Sequence, residues 1–158
     1  MRCIMKKYYF AKFMLIIVIL SVPLYLMASA LNTTKDLNNF YEEIVNIQNQ
    51  LNGLSQSLYI ADQKGESSTP LRQSLSVYNA KIKNLNSKIF DYAANNDISS
   101  INRIRLDTLI IAIELLDDLN LILNELSINK DYEIEYKLFK SFFSTNELLT
   151  QSLSAFPL

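Results

Sequence analysis

Glu114, Asp117 and Asp118 stand three and four residues apart, which on a helix places carboxylates on neighbouring positions, close enough to share a hard cation with Asn120 or Glu125. The same spacing is what an otherwise apolar helix needs to stay in water. We therefore read this weak acidic cluster as a solvated face and expect no metal. A second acidic set, Asp131, Glu133 and Glu135, falls on both sides of a helix start, where negative charge meets the positive end of the helix dipole. It reads as capping rather than binding.

Other chemistry lacks its parts. The chain has no His, which removes the commonest general base and the usual metal and haem ligand of helical bundles. Cys3 is the single cysteine, so thiolate catalysis, zinc ligation and disulfides are absent from everything that follows it. Serines abound, but nothing supplies the His partner and strand-turn-helix setting of a hydrolytic serine. Gly53 and Gly65 are the only glycines, too few and too far apart for a phosphate-cradling loop. We expect no enzyme activity and no cofactor.

The aromatic residues are the remaining candidates. Tyr41, Tyr59, Tyr78, Tyr92, Tyr132, Tyr136, Phe139, Phe142 and Phe143 recur at helical spacing, and such residues usually pack in a core with a polar edge exposed. The run Phe139-Lys140-Ser141-Phe142-Phe143 differs, because adjacent rings cannot both face one way. One of Phe142 and Phe143 must point outward, and we take Phe139, Phe142 and Phe143 as the candidate partner surface.

Four amphipathic helices must position these groups. From Leu37 the apolar positions Phe40, Ile44, Ile47, Leu51, Leu54, Leu58 and Ala61 alternate by three and four, a seam that packs lengthwise on another helix. Lys64-Gly65 ends it. Thr69-Pro70 opens a second helix, since proline at the first turn removes no needed hydrogen bond, and its seam runs Leu71, Leu75, Tyr78, Ile82, Leu85, Ile89, Tyr92. Asp97 or Ser99 caps a third, the most apolar, with Ile101, Ile104, Leu109, Ile110, Ile113, Leu116, Leu119, Ile122, Leu123 and Leu126 as its apolar positions. A fourth follows Lys130-Asp131, with Ile134, Leu138, Phe139, Phe142, Leu149 and Leu153 toward the core. The expected fold is all-α: an antiparallel up-down-up-down four-helix bundle with helices at about 34–64, 70–95, 98–129 and 132–154. A three-helix core with a loose fourth helix is the alternative.

The first thirty residues are of another kind. Arg2, Lys6, Lys7 and Lys12 precede an apolar run at 14–27, and Ala28-Ser29-Ala30 follows. This is the order of a secretory signal, with Ala28 and Ala30 at the cleavage positions. The competing reading keeps the segment as a single membrane anchor. Both put residues 31–158 outside the cytoplasm, as a periplasmic, cell-surface or secreted domain or a membrane-anchored one, touching the membrane only through the N-terminal segment.

Charge narrows the partners. Removing those four cations from the 15 Lys and Arg leaves 11 against 16 Asp and Glu, a net of -5 from residue 31 onward, which repels a phosphate backbone. Nucleic acid is not expected. The leading reading is an exported, non-enzymatic bundle acting as a protein-interaction or structural module through a protein partner or self-association. The alternative is a small-ligand or sensor ectodomain with a pocket between helices; a cavity lined by Tyr78, Tyr92 and Tyr136 would favour it, and a filled core would count against it.

Overall fold

The computed structural model describes residues 34–96 and 98–157. Residues 1–33, Asp97 and Leu158 lie outside it, and with them the expectations for the basic leader, for cleavage at Ala28 and Ala30, and for Asp97 as a cap. By contact the chain divides into Met1–Asp36 and the compact unit Leu37–Leu158; the bundle is the second of these.

Four helices form as the periodicity requires: α1 (34–63), α2 (Thr69–Asn95), α3 (Ser100–Ile128) and α4 (Tyr132–Ser154). Their ends have physical causes. Gly65 takes φ +63, a left-handed value that costs a residue with a Cβ about 1–2 kcal/mol, and its N-H donates to the Asp62 carbonyl while that of Glu66 donates to Ala61. Pro70 sits in the first turn of α2. Ser68 occupies the cap position there, but its hydroxyl donates across to the Ser127 carbonyl of α3 at 2.7 Å. Asp131 caps α4 by accepting from the backbone N-H groups of Glu133 (2.9 Å) and Ile134 (3.1 Å).

Pairings fix the directions. Phe40 meets Tyr92 edge-on and Glu43 lies 3.8 Å from Lys88, so α1 and α2 run antiparallel. Along α1 the partners on α4 descend: Tyr41 stacks on Phe156, Gln48 donates to Asn146 (2.9 Å) and Thr150 (3.0 Å), and Tyr59 meets Phe139 edge-on. Arg105, near the start of α3, donates to the Pro157 carbonyl just past α4. The bundle is therefore antiparallel up-down-up-down, with α4 closing back on α1.

One core runs its length, from Leu37, Ile44 and Leu51 through Leu75, Ile82 and Leu85, across Leu109, Ile113 and Leu116, to Phe142, Leu149 and Leu153. All four seams meet in it, so α4 is a full member and the three-helix alternative does not hold. As expected, α3 buries more residues than α2 or α4. Among the described residues, no helix is long and apolar enough to cross a membrane.

Three expected core positions are corrected. Ile101 and Ile104 are 54% and 56% exposed, and Asn102, Arg105 and Leu106 are buried instead. The seam of α3 runs backward from Leu109 by three to Leu106 and by four to Arg105, and from these by four and three to Asn102, and phase overrides residue type. Arg105 tolerates burial because its guanidinium donates to Pro157 and lies 5.1 Å over the Phe156 ring, a cation-π placement. Ile134, also assigned inward, is exposed on the first turn of α4.

Gly53 lies exposed in mid-α1, and a Cβ there would meet nothing within 4 Å. It makes no close helix approach. Gly53→Ala is expected to stabilise the bundle by about 1 kcal/mol through helix propensity alone, read as a higher midpoint in urea unfolding with an unchanged slope.

Candidate partner-binding groove

The helix 4 aromatics divide by face. Phe142 is 1% exposed and belongs to the core, whereas Phe143 is 63% exposed; their rings touch edge-on at 5.8 Å. Phe142 is thus withdrawn from the candidate surface, and Phe143 and half-buried Phe139 remain on it.

They do not stand alone. Between the C-terminal third of α1 and the N-terminal half of α4 lies an open groove of about 700 Å³, lined from α1 by Ser55, Gln56, Tyr59, Ile60, Asp62 and Gln63 and from α4 by Tyr132, Glu135, Tyr136, Phe139 and Phe143. The Tyr59–Phe139 edge contact, 5.9 Å between centroids, spans it from wall to wall. Tyr59, Ile60, Tyr132, Tyr136 and Phe143 are all exposed. Tertiary packing leaves these large apolar side chains uncovered.

A second seam on α4 makes the groove. Tyr132, Tyr136, Phe139 and Phe143 follow one another by four, three and four residues, so they form a continuous stripe on one side of the helix. It runs beside the core stripe of Leu138, Phe142, Leu149 and Leu153. On α1 the lining positions 56, 59 and 63 keep the same three-four spacing, with Ile60 beside Tyr59, next to the buried positions Ser55, Leu58 and Ala61. This second stripe is visible in the sequence, but composition alone does not say which of two adjacent stripes is the core.

Two carboxylates stand in the walls. Asp62 accepts from Lys130 Nζ at 3.0 Å, tying the end of α1 to the α3–α4 turn. Glu135 is half-buried. Burial among the rings raises its carboxyl above the ordinary value, the charges of Asp62 and Asp131 add to the rise, and Lys130 opposes it. The Glu135 backbone N-H donates to the Asp131 carbonyl at 2.9 Å, but no hydrogen bond or ion pair to its carboxylate forms among the described residues. So Glu135, read from sequence as a capping acid, is a groove residue, and Asp131 alone of that set accepts the cap bonds. Glu133 instead pairs with Lys137 at 2.6 Å.

The other sequence candidates fall elsewhere. Glu114 and Asp118 are exposed and Asp117 is half-buried on α3. Among the described residues no group of three or more acidic, His or Cys side chains is placed to hold a metal ion. Tyr78 and Tyr92 lie on α2, away from Tyr136: Tyr92 is buried against Phe40, and Tyr78 carries Lys81 Nζ 5.0 Å over its ring. Among the described residues these three tyrosines line no common cavity, because the core between the helices is filled mainly by Leu and Ile.

The groove thus sets exposed apolar side chains beside the carboxylates of Asp62 and Glu135. No protein-family model matches the chain, and no curated protein or solved structure matches it either.

Proposed function

We propose that this chain is an exported, non-enzymatic helical-bundle module that docks a protein partner in the α1–α4 groove. The observation that carries the reading is the aromatic stripe Tyr132, Tyr136, Phe139 and Phe143 facing Tyr59, most of it solvent-exposed. Aromatic side chains are enriched where proteins bind one another, because each covers large area at little conformational cost. The filled core supports the groove over the heptad seams as the working surface. Delivery across a membrane rests on the basic-then-apolar order of residues 1–27 with Ala28 and Ala30. The lack of His, and of Cys beyond Cys3, supports a binding role over a catalytic one.

A photo-crosslinking amino acid placed at Tyr136, and separately at exposed Ser87 on α2, tests this in cells of the source organism. A discrete protein adduct from position 136 and none from position 87 is the expected result. Equal adducts from both positions, or none from 136, would contradict it. The small-ligand reading keeps one supporting observation: about 700 Å³ falls within the roughly 300–1,000 Å³ of ordinary ligand sites. It predicts no protein adduct at position 136.

A further inference from the structure

We infer that the occupant of the α1–α4 groove is a short amphipathic helix of the partner protein that presents a Lys or Arg to Glu135, an inference that rests on the docking reading above. Geometry sets the shape. The stripe from Tyr132 to Phe143 climbs α4 in steps of four, three and four, and at about 1.5 Å per residue it is roughly 16 Å long, three turns of a facing helix. The α1 wall repeats the spacing at Gln56, Tyr59 and Gln63. Two parallel rows of side chains at helical spacing leave between them the furrow into which a third row of knobs fits, the helix-in-groove mode of recognition. An extended strand would find no free backbone edge here.

Charge sets the chemistry. Lys130 is already engaged by Asp62 at 3.0 Å and lowers the Glu135 carboxyl only at longer range, whereas the Glu135 carboxylate makes no hydrogen bond or ion pair among the described residues and lines the groove with the aromatic walls. A docking helix that brought a neutral or acidic residue there would cover a carboxylate without compensation. One that brought a cation would gain a charge-assisted contact inside a ring of aromatic faces that themselves attract cations. The exposed tyrosine hydroxyls at 132 and 136 supply the polar rim.

The probe is a side-chain-stapled, alanine-based helix of about fourteen residues, long enough for three turns and held helical by the staple. It carries leucines at i, i+4 and i+7 and, on their flank, either Lys, Gln or Glu. Binding is read by fluorescence anisotropy against the full chain in a phosphatidylcholine nanodisc, with the empty nanodisc as control. The Lys peptide is expected to bind about fivefold more tightly than the Gln peptide, a ratio equivalent to roughly 1 kcal/mol, with the Glu peptide weakest. That preference should vanish in Glu135→Gln, persist in Glu66→Gln, and shrink for the unaltered chain as salt is raised. Equal binding of all three peptides would overturn the cation inference while leaving the docking groove standing. Binding of none would overturn both. Light scattering on the same samples covers the remaining occupant: a dimer that the Lys peptide fails to dissociate would show a second copy of this chain in the groove and overturn the inference.

Discussion

Phe142→Ala is expected to destabilise the bundle by about 3–5 kcal/mol, while Phe143→Ala changes stability by less than about 1 kcal/mol. The two rings are neighbours in sequence and touch edge-on, yet one is sealed among the core leucines and the other stands 63% exposed. Truncating Phe142 removes a large apolar side chain from the place where α4 meets the other three helices, and the cavity left behind adds to the lost transfer free energy. Domains of this size are stable by only about 5–15 kcal/mol, so the variant approaches unfolding at ordinary temperature. Urea unfolding followed by circular dichroism separates the two. Comparable losses for both variants would mean that Phe143 is buried by something, and would move the groove off the solvent face.

Asn120→Leu is expected to raise stability by about 1–3 kcal/mol. Asn120 is 0% exposed in the middle of α3, and neither its amide nitrogen nor its side-chain oxygen has a hydrogen-bond partner among the described residues. An unsatisfied buried amide loses its hydration and regains nothing, a penalty of about 1–3 kcal/mol per group. Leucine has the same branching and no polar atom, so the substitution removes the penalty with limited strain. At roughly 4 °C per kcal/mol the melting temperature rises measurably. Asn120→Ala serves as control: it removes the same polar atoms but leaves a void, and should gain less. A lower melting temperature for Asn120→Leu would show that the amide is satisfied by ordered water or that the site is too tight to take leucine. A polar residue at such a seam position also restricts which helix faces can meet, so the Leu variant should be checked for self-association by light scattering.

Much of the fold was legible because α1 and α2 spell their seams in residue type: every seam position from Leu37 to Tyr92 singled out by the three-four alternation is buried or half-buried. The first turns of α3 were not legible. Ile101 and Ile104 look like core and Arg105 looks like surface, and only the distant Phe156 and Pro157 give Arg105 a reason to turn inward. Local sequence carries no record of a partner some fifty residues away. The site was half legible. The adjacent pair Phe142-Phe143 demands that one ring face outward, but which one depends on which of two overlapping stripes on α4 meets the core. Asp62 escaped, and Tyr59 and Glu135 were singled out without being brought together, because a groove is a property of two helices, and the register that sets α1 beside α4 comes from tertiary contacts such as Gln48 with Asn146 and Thr150.

Glu135 makes the site slightly dependent on pH in a direction that follows from its burial. Its carboxyl is raised in the folded state, so the charged form is the disfavoured one, and the strain is present above the folded pKa and relieved as pH falls below it. A cation docked beside it works the other way, holding the carboxylate charged, so the partner should dissociate as the solution is made acidic.

Hydroxyl-radical footprinting measures the central claim, that the α1–α4 groove is covered when the protein works. Oxidation of Tyr59, Tyr132, Tyr136 and Phe143 is compared between the purified chain and intact cells of its source, with exposed Phe90 on α2 as internal reference. Protection of the four groove residues in cells, with Phe90 oxidised equally in both, is the result expected here. Equal oxidation of the groove in both settings, or protection at Phe90 instead, would contradict it.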